Sequence, residues 1–198
     1  MARQQSPTAQ RHTSSPLRVD IARLGRRPGA MFTLHDTVHS PSRIGLDMIA
    51  IQRGDPLDLD LRVESVSEGV LVSGTVTAPT VGECARCLAE VRSSVQVVLT
   101  ELFAYPGSTT EATTEQDEVG HIVDDTFDLE QAIIDAVGLE LPLSPVCRPD
   151  CPGLCAECGI PLASEPGHRH DQIDPRWAKL ADIYTPEPPG PDPSKGER

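Results

Sequence analysis

With 198 residues, the chain has room for one domain of ordinary size and flanking tails, not for two large domains. Only 38% of the residues are hydrophobic and 19 are proline, so a folded region of about 130 to 150 residues is expected. The net charge of −13 excludes non-specific adhesion to nucleic acid over the whole surface, and no apolar run approaches the roughly 20 residues needed to cross a bilayer.

Residues 1–16 are polar and without periodicity, and are expected to form a disordered basic arm. The arm lacks the apolar stretch of a secretory signal, so a cytoplasmic protein with no membrane partner is expected. Leu17-Arg-Val-Asp-Ile21 alternates and predicts a first strand. Gly25, Pro28, Gly29 and Pro41 punctuate residues 23–43, which read as a loop with at most a short element. The apolar stretch from Arg43 to Gln52 reads as one strand. Leu57, Leu59, Leu61 and Val63 alternate with Asp58, Asp60, Arg62 and Glu64, the period of a half-buried strand. After a turn at Glu68-Gly69, Val70 to Thr77 returns as its hairpin partner.

Pro79 to Cys87 reads as the next corner, Glu90 to Tyr105 as a long strand, and residues 106–121 as an acidic low-complexity loop. Asp128 to Val137 predicts a helix, capped by Asp128 with Gln131 at capping-box spacing and closed by Gly138. Its packed face is expected to carry Leu129, Ile133 and Ala136 or Val137. Pro142 and Pro145 prevent any continuation. Ile173 to Ile183 predicts a short helix starting near Pro175, and residues 184–198 a disordered, proline-rich tail. The expected fold over residues 17–183 is α+β: mainly antiparallel β-sheet with one central helix, a Cys-rich zinc segment at 147–170 and a short C-terminal helix.

The six cysteines fall in three tight pairs: Cys84-Ala-Arg-Cys87, Cys147 with Cys151, and Cys155-Ala-Glu-Cys158. A fourth pair is His168-Arg-His170. Eight such ligands in four pairs match the demand of two tetrahedral zinc sites, and clustered cysteines in a cytosolic chain point to metal rather than to disulfides. Gly159 suits the tight turn after Cys158, because glycine tolerates positive φ. His168 and His170 would share an ion only if the segment bends, which Pro166 and Gly167 permit. One arrangement gives two ions, one on Cys155, Cys158, His168 and His170, the other on Cys84, Cys87, Cys147 and Cys151. Another gives a single ion on Cys84, Cys87, Cys155 and Cys158. A redox dithiol would need a lowered thiol pKa, which spacing does not establish.

Charge is uneven along the chain. Residues 1–30 hold six arginines against Asp20, whereas residues 101–140 hold eleven acids and neither lysine nor arginine. A basic arm and an acidic belt could engage RNA and a basic protein, respectively. His12, His35, His39 and His121 lie in polar contexts and read as surface or packing residues. No phosphate loop, nucleophile elbow or Ser/His/Asp grouping is present, and the abundant ligands suit closed metal sites, so neither an enzyme nor a small-molecule substrate is expected.

The order of these features resembles the YceD family, the large ribosomal RNA subunit accumulation proteins. The resemblance rests on Cys84-Ala-Arg-Cys87 after a hairpin, the helix region from Phe127-Asp-Leu to Leu141-Pro-Leu, Cys151-Pro-Gly-Leu-Cys155-Ala-Glu-Cys158-Gly159, and Ile173-Asp-Pro-Arg-Trp-Ala-Lys-Leu180. Many members carry Cys-x-Cys where this chain has His168-Arg-His170. The resemblance implies a non-enzymatic role in assembling the large ribosomal subunit and accumulating its 23S rRNA. The implied partners are the subunit precursor, 23S rRNA, or a basic ribosomal protein.

Overall fold

The structure, a computed structural model, describes residues 15–115, 118–170 and 176. The expected arm before residue 15, the C-terminal helix and the proline-rich tail lie outside the described residues, apart from Arg176. The chain divides into two compact units, one ending at Cys151 and the other beginning at Pro152.

The first unit is built on a seven-stranded sheet. Strand β1 (Arg18–Asp20) lies outside that sheet and pairs with β9 (Thr126–Asp128). Strands β2 (Met31–His39), β5 (Pro56–Ser65), β6 (Gly69–Glu83) and β7 (Glu90–Ala104) form an antiparallel meander. Two short strands, β3 (Ile44–Gly45) and β4 (Ile49–Ile51), continue the sheet beside β6, and β8 (Gly120–His121) runs parallel to the end of β7. The α+β, sheet-dominated class expected from the sequence is the class observed.

Alternation in β5 does what its period requires. Leu57, Leu59, Leu61 and Val63 are all buried, while Asp58, Asp60 and Arg62 face water. Opposite Leu61, Gly74 lets β5 and β6 approach closely, since a Cβ there would stand 2.1 Å from the Asp60 carbonyl oxygen. Helix α2 (Glu130–Glu140) covers one face of the sheet and buries Ile133 and Val137, with Leu129 just before it, at i, i+4 and i+8. Phe127 stacks on Phe103 with ring centroids 4.3 Å apart.

Five local expectations are corrected. Residues 31–39 form a strand rather than a loop, because the glycines and prolines that punctuate 23–43 lie outside the alternating Phe32, Leu34 and Val38. The stretch from Arg43 to Gln52 is a tight two-strand hairpin instead of one strand. Strand β6 does not stop at Pro79. Its pairing with β5 ends at Thr77 and its pairing with β4 begins at Val81, so the missing N–H of Pro79 falls in the gap between them. Within the acidic loop, the Ser108 hydroxyl accepts a hydrogen bond from the Glu111 N–H and starts a short helix, α1 (Thr109–Thr113). Finally, α2 starts at Glu130, whose N–H donates to the Asp128 carboxylate at 2.9 Å, and it runs through Gly138 to end before Pro142.

Among the described residues no helix is long and apolar enough to cross a membrane. The packing of α2 makes a testable contrast. Ile133→Ala should cost about 3 kcal/mol in denaturant unfolding, whereas Leu139→Ala, at a side chain 90% exposed, should change stability by less than about 0.5 kcal/mol. Equal losses would mean that the wrong helix face has been taken as packed.

Candidate metal centres

The turn joining β6 to β7 carries Cys84 and Cys87. Its backbone closes twice: the Cys84 N–H donates to the Ala89 carbonyl at 2.8 Å, and the Leu88 N–H donates to the Cys84 carbonyl at 2.9 Å. Residues 155–160 repeat this pattern. There the Cys155 N–H donates to the Ile160 carbonyl at 2.8 Å and the Gly159 N–H to the Cys155 carbonyl at 2.9 Å. Both turns need a left-handed residue after the second cysteine, filled by Gly159 at φ 72° and, against preference, by Leu88 at φ 59°. The same local fold therefore presents two thiols twice.

Each turn meets a second pair of ligands. Cys84, Cys87, Cys147 and Cys151 bring their sulfurs within 4.8 Å of one another, as do the ligand atoms of Cys155, Cys158, His168 and His170. In the first group, Cys84 and Cys151 are buried and their sulfurs lie 3.9 Å apart; those of Cys87 and Cys147 lie 3.7 Å apart. A tetrahedron with metal–sulfur bonds of about 2.3 Å separates its sulfurs by about 3.8 Å. A disulfide would need about 2.05 Å. All six cysteines are free thiols, spaced for metal ligation.

The second group has an outer layer as well. His168 and His170 turn their Nε2 atoms toward each other, 2.9 Å apart, and each lies 3.2 Å from the Cys158 sulfur. Each imidazole has a carboxylate at its other nitrogen: Glu165 stands 3.4 Å from Nδ1 of His168, and Glu157 3.4 Å from Nδ1 of His170. A carboxylate behind a histidine fixes its tautomer with Nε2 free to ligate. Gly167 at φ 91° supplies the bend that lets alternate residues converge.

The first group is held by the chain around it. The Ala85 N–H donates to the Pro145 carbonyl at 2.8 Å. The Arg86 guanidinium donates to the carbonyls of Pro149 at 3.2 Å and Cys151 at 3.0 Å, and the Arg86 backbone N–H donates to the Cys84 sulfur at 3.5 Å. These contacts pin the segment after α2 to the β6–β7 turn.

Electrostatics in both groups favour a cation. A hydrogen bond from the Cys147 backbone, followed by those of Arg86 and Cys87, lowers the Cys84 thiol from 9.0 to about 6. The Cys158 and Glu157 amides lower Cys155 to about 6 in the same way. Cys147 moves the other way, to about 12, chiefly because the Cys151 sulfur bonds beside it. Neighbouring thiolates cannot all carry charge unless a positive ion sits among them. Each group could hold one metal ion with four protein ligands. All eight residues singled out from the sequence thus fall into two groups of four, which pair Cys84 and Cys87 with Cys147 and Cys151.

Sequence reading missed four contributors: Arg86, Leu88, Glu157 and Glu165. Glu165 precedes His168 by three residues and Glu157 lies inside a Cys-x-x-Cys, a signal visible only once the histidines are taken as ligands. Among the described residues, the other histidines stay apart from both groups; His35, for example, pairs with Asp60 at 2.9 Å on the surface, and His12 lies outside the described residues.

The family model described as "Large ribosomal RNA subunit accumulation protein YceD" matches residues 72–184, a span that includes both ligand groups. Uncharacterized proteins of Mycobacterium tuberculosis and Mycobacterium bovis are each 76% identical over 198 residues, covering 100% of this chain and 94% of theirs. One of Mycobacterium leprae is 62% identical over the same 100% of this chain and 91% of its own. No solved structure matches. A family match across more than half the chain makes this chain a member of the YceD family.

Proposed function

We propose that this chain is a zinc-stabilised, non-enzymatic factor of ribosome biogenesis that supports accumulation and processing of 23S rRNA during large-subunit assembly. The observation that carries the reading is family membership, since the family is described by large ribosomal RNA subunit accumulation. Its partners would be the subunit precursor in the cytoplasm, through 23S rRNA, a basic ribosomal protein, or both.

The ligand chemistry supports zinc as the ion. Four thiolates, or two thiolates with two imidazoles, are donor sets that zinc takes in tetrahedral structural sites. A catalytic zinc keeps one position for water or substrate, whereas each of these groups fills all four positions from the chain. The ions would therefore hold shape, and the shaped surface would do the binding.

The zinc assignment has a pH signature. Backbone hydrogen bonds lower the Cys84 and Cys155 thiols from 9.0 to about 6, so these two ligands stay thiolate at neutral pH and take up protons as the pH falls through about 6. Stability drawn from these two thiolates is complete above about 9.0, falls as the pH drops toward about 6, and is gone below it. At about pH 7.5, native mass spectrometry should find two zinc ions, and one in a His168→Ala, His170→Ala chain. A zinc indicator should report release only below about pH 6; release at neutral pH, or full retention near pH 4, would count against thiolate ligation.

The ribosomal role is tested in cells. Depleting the protein should lower 23S rRNA relative to 16S and accumulate precursor ends, with recovery when the intact gene is restored. An unchanged ratio with normal 50S particles would reject the role.

A further inference from the structure

We propose that the outer edge of β7 is a docking site for an extended, arginine- or lysine-rich segment of a partner protein, which adds to the sheet as one more strand. The proposal uses neither ligand group and stands independently of the rRNA reading.

The edge follows from strand parity. Along an unbroken antiparallel register from Gly69↔Ala104 to Glu83↔Glu90, alternate residues of β7 turn their backbone groups to opposite sides. Ala89 and Tyr105 bond toward the β6 side, to Cys84 and Glu68, whereas the Ala104 carbonyl accepts from Ile122 on the other side. Arg92, Ser94, Gln96, Val98 and Thr100 share the parity of Ala104 and so turn outward. Strand β8 reaches only Phe103 and Ala104, and among the described residues no strand pairs with the rest of this edge.

Open edges are normally protected by charge, proline or a bulge. The window 93–100, Ser-Ser-Val-Gln-Val-Val-Leu-Thr, has none of these, and Val98 is 73% exposed. Strand β2, at the far edge, instead carries His35, Asp36 and His39. An uncharged, β-prone edge is a template for a strand.

Two clefts beside this edge decide the occupant. One, of about 520 Å³ between the end of β7 and α2, is lined by Glu101, Glu118, Asp128 and Asp135, with no cation in its wall among the described residues. The other, of about 360 Å³ at the start of β7, is lined by Ser93, Ser94 and Thr80. Thr80 is 1% exposed and its hydroxyl has no hydrogen-bond partner among the described residues. Charge complementarity selects a basic segment. RNA would be repelled by the carboxylates, and a second copy would bring a further −13 against the same acidic wall.

The test selects phage-displayed random 12-residue peptides against the zinc-loaded full chain and compares two variants. Gln96→Pro removes an outward N–H that bonds to nothing in the sheet, so folding, checked by circular dichroism, should survive. Glu101→Lys with Asp135→Lys reverses charge at side chains that face the first cleft. Selected peptides should alternate basic and β-branched residues, slow amide exchange at 92–100, and bind each variant about tenfold or more weakly. Peptides without basic enrichment, binding by Gln96→Pro within about twofold of the parent, no selected peptide at all, or wild-type dimers cross-linked through β7 would each overturn the proposal.

Discussion

Sixty residues of chain separate Cys87 from Cys147, yet their sulfurs lie 3.7 Å apart. That closure fixes the arrangement of the first unit, because it ties the end of the β6–β7 hairpin to the segment leaving α2. If an ion bound there restricts the unfolded chain as a disulfide would, closing such a loop is worth about 4 kcal/mol. Whole domains are stable by only about 5 to 15 kcal/mol, so one link could supply a large part of the total. A core assembled mainly from Val, Leu and Ile, in a chain with only 3% aromatic residues, has particular use for it.

Loaded with a divalent ion, the two groups would differ in charge as well as in composition. Four thiolates around a divalent ion leave two negative charges in excess, whereas two thiolates and two neutral imidazoles leave none. The surroundings match that difference. The four-sulfur group has the Arg86 guanidinium on adjacent carbonyls and the Arg86 amide directed at a sulfur. The histidine-containing group instead has Glu157 and Glu165 behind its imidazoles, carboxylates that a neutral site can tolerate. Cation beside the charged group and anions beside the neutral one is the distribution electrostatics favours.

How much of this was legible in the sequence depended on whether the signal was local. Strand β5 was readable because burial on one face writes itself as alternation, and the eight candidate ligands stood out because residues able to share one ion come in close pairs. Strand β2 was not: it lies at the sheet edge with Asp36 exposed in its middle, so alternation is weak and the flanking glycines and prolines dominated. Pro79 misled for a related reason, since its tolerance depends on a gap between β4 and β5 that no local rule reports. The pairing of Cys84 and Cys87 with the distant Cys147 and Cys151, rather than with the nearer-matching Cys155 and Cys158, is set by long-range topology. Leu88 hid the likeness of the two turns, because the glycine that marks the second is absent from the first.

The most direct test of the central claim is zinc-edge X-ray absorption on the loaded His168→Ala, His170→Ala chain. The remaining ion should show four sulfur neighbours at about 2.3 Å and no nitrogen or oxygen, as the group of Cys84, Cys87, Cys147 and Cys151 requires. A shell retaining nitrogen or oxygen would contradict it, and would mean that these four thiols do not close one site.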